Sequence, residues 1–90
     1  MALSKKEIKK EANKVRSSLI ERTFTPDTAT DYIMSLDAAT DRQKDMILEM
    51  ITIHFLGEMI GMAENEVNDM IEYTVLQKPK MNFTFPLSWN

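Results

Sequence analysis

Ninety residues with 43% hydrophobic content suffice for one domain with a modest core, and are too apolar for a disordered chain. The chain has no cysteine, which excludes a disulfide scaffold, a thiol nucleophile and thiolate metal ligation, and its two glycines are too few for the tight turns of an all-β fold. The net charge of −3 hides an asymmetry: residues 1–24 hold seven basic and three acidic residues, and residues 25–90 hold four basic and eleven acidic ones. Such a split predicts either a basic contact surface or charge pairing within the chain or between subunits.

Leu3-Ser4-Lys5-Lys6-Glu7-Ile8 is a helix start. Ser4 with Glu7 forms a capping box, and Leu3 with Ile8 a hydrophobic staple. Ile8, Ala12, Val15 and Leu19 recur at helical spacing, so a helix over about residues 5–22 has one apolar stripe. Around that stripe stand Lys5, Lys6, Lys9, Lys10, Lys14 and Arg16, with Glu7, Glu11 and Glu21 interleaved. This basic helix is the best candidate for a nucleic-acid contact, but it has no aromatic residue to stack on bases.

Thr25-Pro26-Asp27 opens a second helix with a cap, a proline at the first position and an acid that complements the dipole. Ala29, Tyr32, Ile33 and Leu36 form its apolar face, and it should end near Asp37. Thr40 and Gln43 make another capping box, for a helix running to about Ile60. On that helix only Asp41, Asp45, Glu49 and Thr52 form a polar strip; the rest is apolar almost all round, which predicts burial on most sides. Three neighbouring helices are little cover for it, so the chain is expected to self-associate. Gly61 reads as the stop, in left-handed conformation, and a fourth helix follows from about Glu64 to Leu76.

Residues 53–72 resemble a helix-turn-helix in spacing. Gly57 stands where two helices cross closely and Gly61 at the turn; Leu56, Ile60 and Met62 are apolar where the first helix and turn pack, and Val67 and Met70 where the second packs back. The reader helix of such a motif would present Glu64, Glu66, Asp69 and Glu72 to a phosphate backbone carrying one negative charge per about 1.7 Å, which opposes DNA entry. The motif is therefore expected to be a packing corner or a protein-binding surface.

The segment from Met81 to Asn90 alternates without exception: Met81, Phe83, Phe85, Leu87 and Trp89 against Asn82, Thr84, Pro86, Ser88 and Asn90. Period two over ten residues predicts an extended segment with one apolar edge. It caps its own core or docks on another chain as an arm, and its large aromatic residues are of the type that anchor interfaces.

Catalysis has little to draw on. His54 is the only histidine, on the apolar side of the third helix, and pairing it with Glu58 gives two ligands where zinc needs three or four. No nucleophile motif and no phosphate-cradling loop is present. No apolar run reaches the roughly 18 residues of a membrane span, and the start MALSKKEIKK lacks the apolar stretch of a signal peptide.

The sequence thus predicts an all-α, four-helix domain over residues 1–78, with a helix-turn-helix-like corner and an extended C-terminal arm over residues 79–90. The expected function is that of a non-catalytic protein-binding module: an adaptor, inhibitor or regulator, homo-oligomeric, cytoplasmic, without metal or cofactor. Such compact binding proteins are a format bacteriophages use against host enzymes and defences. The alternatives are a helix-turn-helix transcription regulator and a structural assembly component.

Overall fold

The computed structural model describes residues 2–76. They form four helices: α1 Lys5–Ile20, α2 Pro26–Met34, α3 Asp41–Met59 and α4 Glu64–Ile71, the last running into a π-helical turn Glu72–Leu76. There is no strand among the described residues. The arm read into residues 79–90 lies outside them.

The helix starts are built locally, as predicted. The Ser4 hydroxyl accepts from the Glu7 N–H at 3.1 Å, and the Glu7 carboxylate accepts from the Ser4 N–H at 2.8 Å. Thr40 and Gln43 repeat the arrangement at 3.1 and 3.2 Å. Thr25 accepts from the Thr28 N–H at 3.1 Å ahead of Pro26. Two capping boxes and a capped proline start satisfy donors that a helix otherwise leaves without partners.

The helix ends differ from expectation. α1 stops at Ile20, because Arg22 turns left-handed at φ 66°. The Arg22 N–H then donates to the Leu19 carbonyl and the Thr23 N–H to the Ser18 carbonyl, closing a Schellman motif on a residue other than glycine. α2 stops at Met34, where Ser35 turns its hydroxyl back to the Tyr32 carbonyl and the Lys44 ammonium covers the Met34 carbonyl at 2.9 Å. The fourth helix leaves α-geometry at Glu72. In an α-helix, Val75 would drift about 80° from Val67; the wider turn keeps Val75 in the core, and Thr74 bonds back to the Met70 carbonyl.

The most extensive pairing is α1 against α3, and α2 and α4 pack on α3 from other sides. Ile8, Ala12 and Val15 meet Ala29 and Ile33, then Ile47, Met50 and Ile51, then Val67, Ile71 and Val75 in one continuous core. The α3–α4 corner has the predicted form. Gly61 adopts φ 80°, and Gly57 lies so close to Val67 that a Cβ there would stand 2.6 Å from Val67 Cγ2. Leu56, Ile60 and Met70, however, do not pack in the corner as predicted; all three are exposed, and Val67 alone seats on Gly57, with Met62 half-buried.

Candidate protein-binding surface

α3 is not buried on most sides. Its inner face, Ile47, Met50, Ile51, His54 and Gly57, is covered by the other helices. Among the described residues nothing covers its outer face: Leu56 is 53% exposed, Met59 80% and Ile60 73%, with Phe55 and Leu48 half-buried beside them. Successive turns of a helix place residues three and four apart on one side, so Thr52, Phe55, Leu56, Met59 and Ile60 form one stripe. A monomer rarely leaves such a cluster in contact with water without a use for it.

Two grooves flank the stripe and share Thr52. The larger, about 690 Å³, lies between the end of α1, the start of α2 and α3; Leu19, Ile20, Phe24, Ile51 and Phe55 make it mainly apolar. Ile20 is itself half exposed on its rim. The smaller, about 370 Å³, lies between α3 and the π turn, bounded by Leu48, Ile53, Thr74 and Val75.

The charged residues singled out in the sequence are drawn together in part. Glu72 sits between Lys5 and Lys9, bonded to Lys5 and 3.3 Å from the Lys9 ammonium. The two lysines hold the Glu72 carboxyl below its ordinary range, with the Lys5 hydrogen bond the larger cause. Lys14 donates to the Tyr32 hydroxyl at 3.0 Å, and that hydroxyl donates to Glu11 at 2.7 Å. Arg16 approaches Glu58 at 3.7 Å. Part of the charge asymmetry is therefore neutralised inside the fold. Lys6, Lys10, Glu64, Glu66 and Asp69 stay exposed and make none of these contacts. Met81, Phe83, Phe85, Leu87 and Trp89 lie outside the described residues.

His54 is 6% exposed and forms the wall between two polar clefts. One, of about 420 Å³, is lined by Lys9, Asn13, Asn68, Asp69 and Glu72; the other holds Arg16, Glu58 and Glu64. Burial, reinforced by the Arg16 guanidinium, lowers the imidazole pKa below its ordinary value and favours the neutral ring.

Sequence reasoning missed the Leu3–Gln43 clamp. The Gln43 amide accepts from the Leu3 N–H at 3.0 Å and donates to the Leu3 carbonyl at 2.8 Å, tying the start of α1 to the start of α3. No helix among the described residues is long and apolar enough to cross a membrane. No family model, no curated protein and no solved structure matches the chain.

Proposed function

We propose that the chain is a non-catalytic protein-binding module, acting in the cytoplasm as an adaptor, inhibitor or regulator and working as a homo-oligomer. One observation carries the reading: the outer face of α3 presents Leu56, Met59 and Ile60 to solvent, with Phe55 half-buried beside them. Fully burying such a side chain is worth roughly 1.5–3 kcal/mol, so a partner that covers several of them gains enough to associate. The face is flanked by grooves, as a surface that receives another protein's side chains should be. A bacteriophage origin fits the format, a small binding-only domain.

DNA recognition is the second reading, favoured by the α3–α4 corner. The charge on α4 weighs against it: Glu64, Glu66 and Asp69 are exposed where phosphates would lie, while Lys5 and Lys9 are engaged with Glu72.

Light scattering tests the main reading. The wild type is expected to run as an oligomer at micromolar concentration. Met59→Glu with Ile60→Glu, both at exposed positions, should return it to monomer with its circular dichroism unchanged. A wild type that is monomeric across that range would remove the self-association part of the proposal.

A further inference from the structure

We propose that the outer face of α3 receives residues 81–89 of a second copy of this chain, the two copies exchanging arms. The inference rests on the binding-module reading and names its partner.

It begins from where the described chain ends. α4 and the π turn run antiparallel to α3: Val67 lies on Gly57, Ile71 lines the same cleft as Met50 and His54, and Val75 stands by Leu48 and Ile53. At Leu76 the chain is therefore travelling away from Leu56, Met59 and Ile60. Fourteen residues follow in the sequence. To lay Met81–Trp89 on its own Met59 and Ile60, the chain would have to reverse within Gln77-Lys78-Pro79-Lys80. Proline fixes its own φ and biases the residue before it to extended backbone, so a reversal there is confined to a tight turn with Pro79 at its second position. Short, stiff hinges favour exchange between copies, because the contacts refused in cis are made at little cost in trans.

Dimensions and chemistry agree. Eight steps of extended chain from Met81 to Trp89 span about 27 Å, and the 19 residues of α3 span about 28 Å. The exposed stretch from Leu48 to Ile60 is shorter, about 18 Å, so one arm covers it. Residues 81–90 carry no charged side chain, which suits the apolar groove of Leu19, Ile20, Phe24 and Phe55. The alternation would put Phe83, Phe85 and Trp89 toward that groove and leave Asn82, Thr84 and Ser88 outward. Pro86 lacks an amide donor, which a groove tolerates and a continuous strand ladder does not.

Trp89 is the only tryptophan, so the full-length chain reports on its own arm. Mass by light scattering and tryptophan emission are followed together over a dilution series. The expected result is a dimer with blue-shifted emission that moves red in step with monomer formation. Met59→Glu with Ile60→Glu, and separately Phe83→Ser with Phe85→Ser, should each weaken dimerisation at least tenfold and shift Trp89 to a solvent-like emission. Two outcomes overturn the exchange while leaving self-association standing: a dimer with solvent-like Trp89 at all concentrations, or a dimer indifferent to Phe83→Ser and Phe85→Ser. A monomer with blue-shifted Trp89 at every concentration overturns both, and identifies the arm as a strap on its own α3.

Discussion

Replacing Gly57 by alanine places a methyl group 2.6 Å from Cγ2 of Val67, a buried side chain on the facing helix. Val67 has little room to yield, since a β-branched residue in a helix is held to one χ1 rotamer. Overpacking of this kind costs roughly 1–3 kcal/mol. Alanine is also the better helix former, which returns about 0.5–1 kcal/mol. The net expectation is a loss of about 1 kcal/mol, a fall in Tm of roughly 4–8 °C for a domain of this size. Val67→Ala alone removes two buried methyl groups and should cost about 2 kcal/mol. In the double variant the clash is gone, so Gly57→Ala now stabilises by its helix preference. The cycle should therefore show a coupling of about 2 kcal/mol. Thermal and urea unfolding of the four proteins measures it. Effects that add to within about 0.5 kcal/mol would show that Gly57 does not govern the α3–α4 approach.

Ala63 has the extended backbone of an N-cap but no side-chain acceptor, while Glu66 already fills the other half of a capping box; Ala63→Ser should stabilise the fold by about 1 kcal/mol in urea unfolding. Gln43→Glu keeps the acceptor that the capping box needs and loses the donor to the Leu3 carbonyl; it should cost about 1–3 kcal/mol by the same measurement, where a capping role alone would predict almost nothing. The depressed pKa of His54 means the unfolded chain takes up a proton first, so stability should fall as pH drops from about 6.5 toward the folded value. Urea midpoints between about pH 7.5 and about 5.5 read this slope, and His54→Gln should flatten it. Arg16 and Lys9 of α1 oppose the imidazolium, while Glu58, Glu64, Asp69 and Glu72 line the same clefts. The Glu72 contribution is separate: its carboxyl is held low, so that contribution is lost only as pH falls through the lower carboxylate range.

What the sequence made legible was local. The caps at Ser4, Thr25 and Thr40 were readable because donor and acceptor stand three residues apart. Gly57 and Gly61 were readable because a close crossing and a left-handed turn each ask for a residue without Cβ. The ends were harder. Arg22 takes the left-handed position without being glycine, and the π turn answers a need to bring Val75 inward that only the packed core defines. Gln43 advertised its bond to Thr40 and concealed its bonds to Leu3, forty residues away. The apolar surface of α3 was visible as a quantity, but which half stayed open depends on where α1, α2 and α4 settle, and no single helix encodes that.

The Leu3–Gln43 clamp also divides the molecule by stability. α1 and α3 lie side by side in the same direction: Leu3 meets Gln43 near their beginnings, and Arg16 approaches Glu58 near their ends. At the beginnings, two capping boxes and two clamp bonds hold the backbone. At the ends stand exposed apolar residues, Ile20 on one helix and Met59 on the other, and neither helix has a basic side chain in its last turn. Thermal opening should therefore run like a zipper from one direction. Amide protons near Ile8 and Ile47 should exchange through global unfolding, and those near Leu19 and Glu58 through local fraying. The surface proposed to receive a partner is then the surface that can loosen to fit one, while the opposite pole keeps the helices in register.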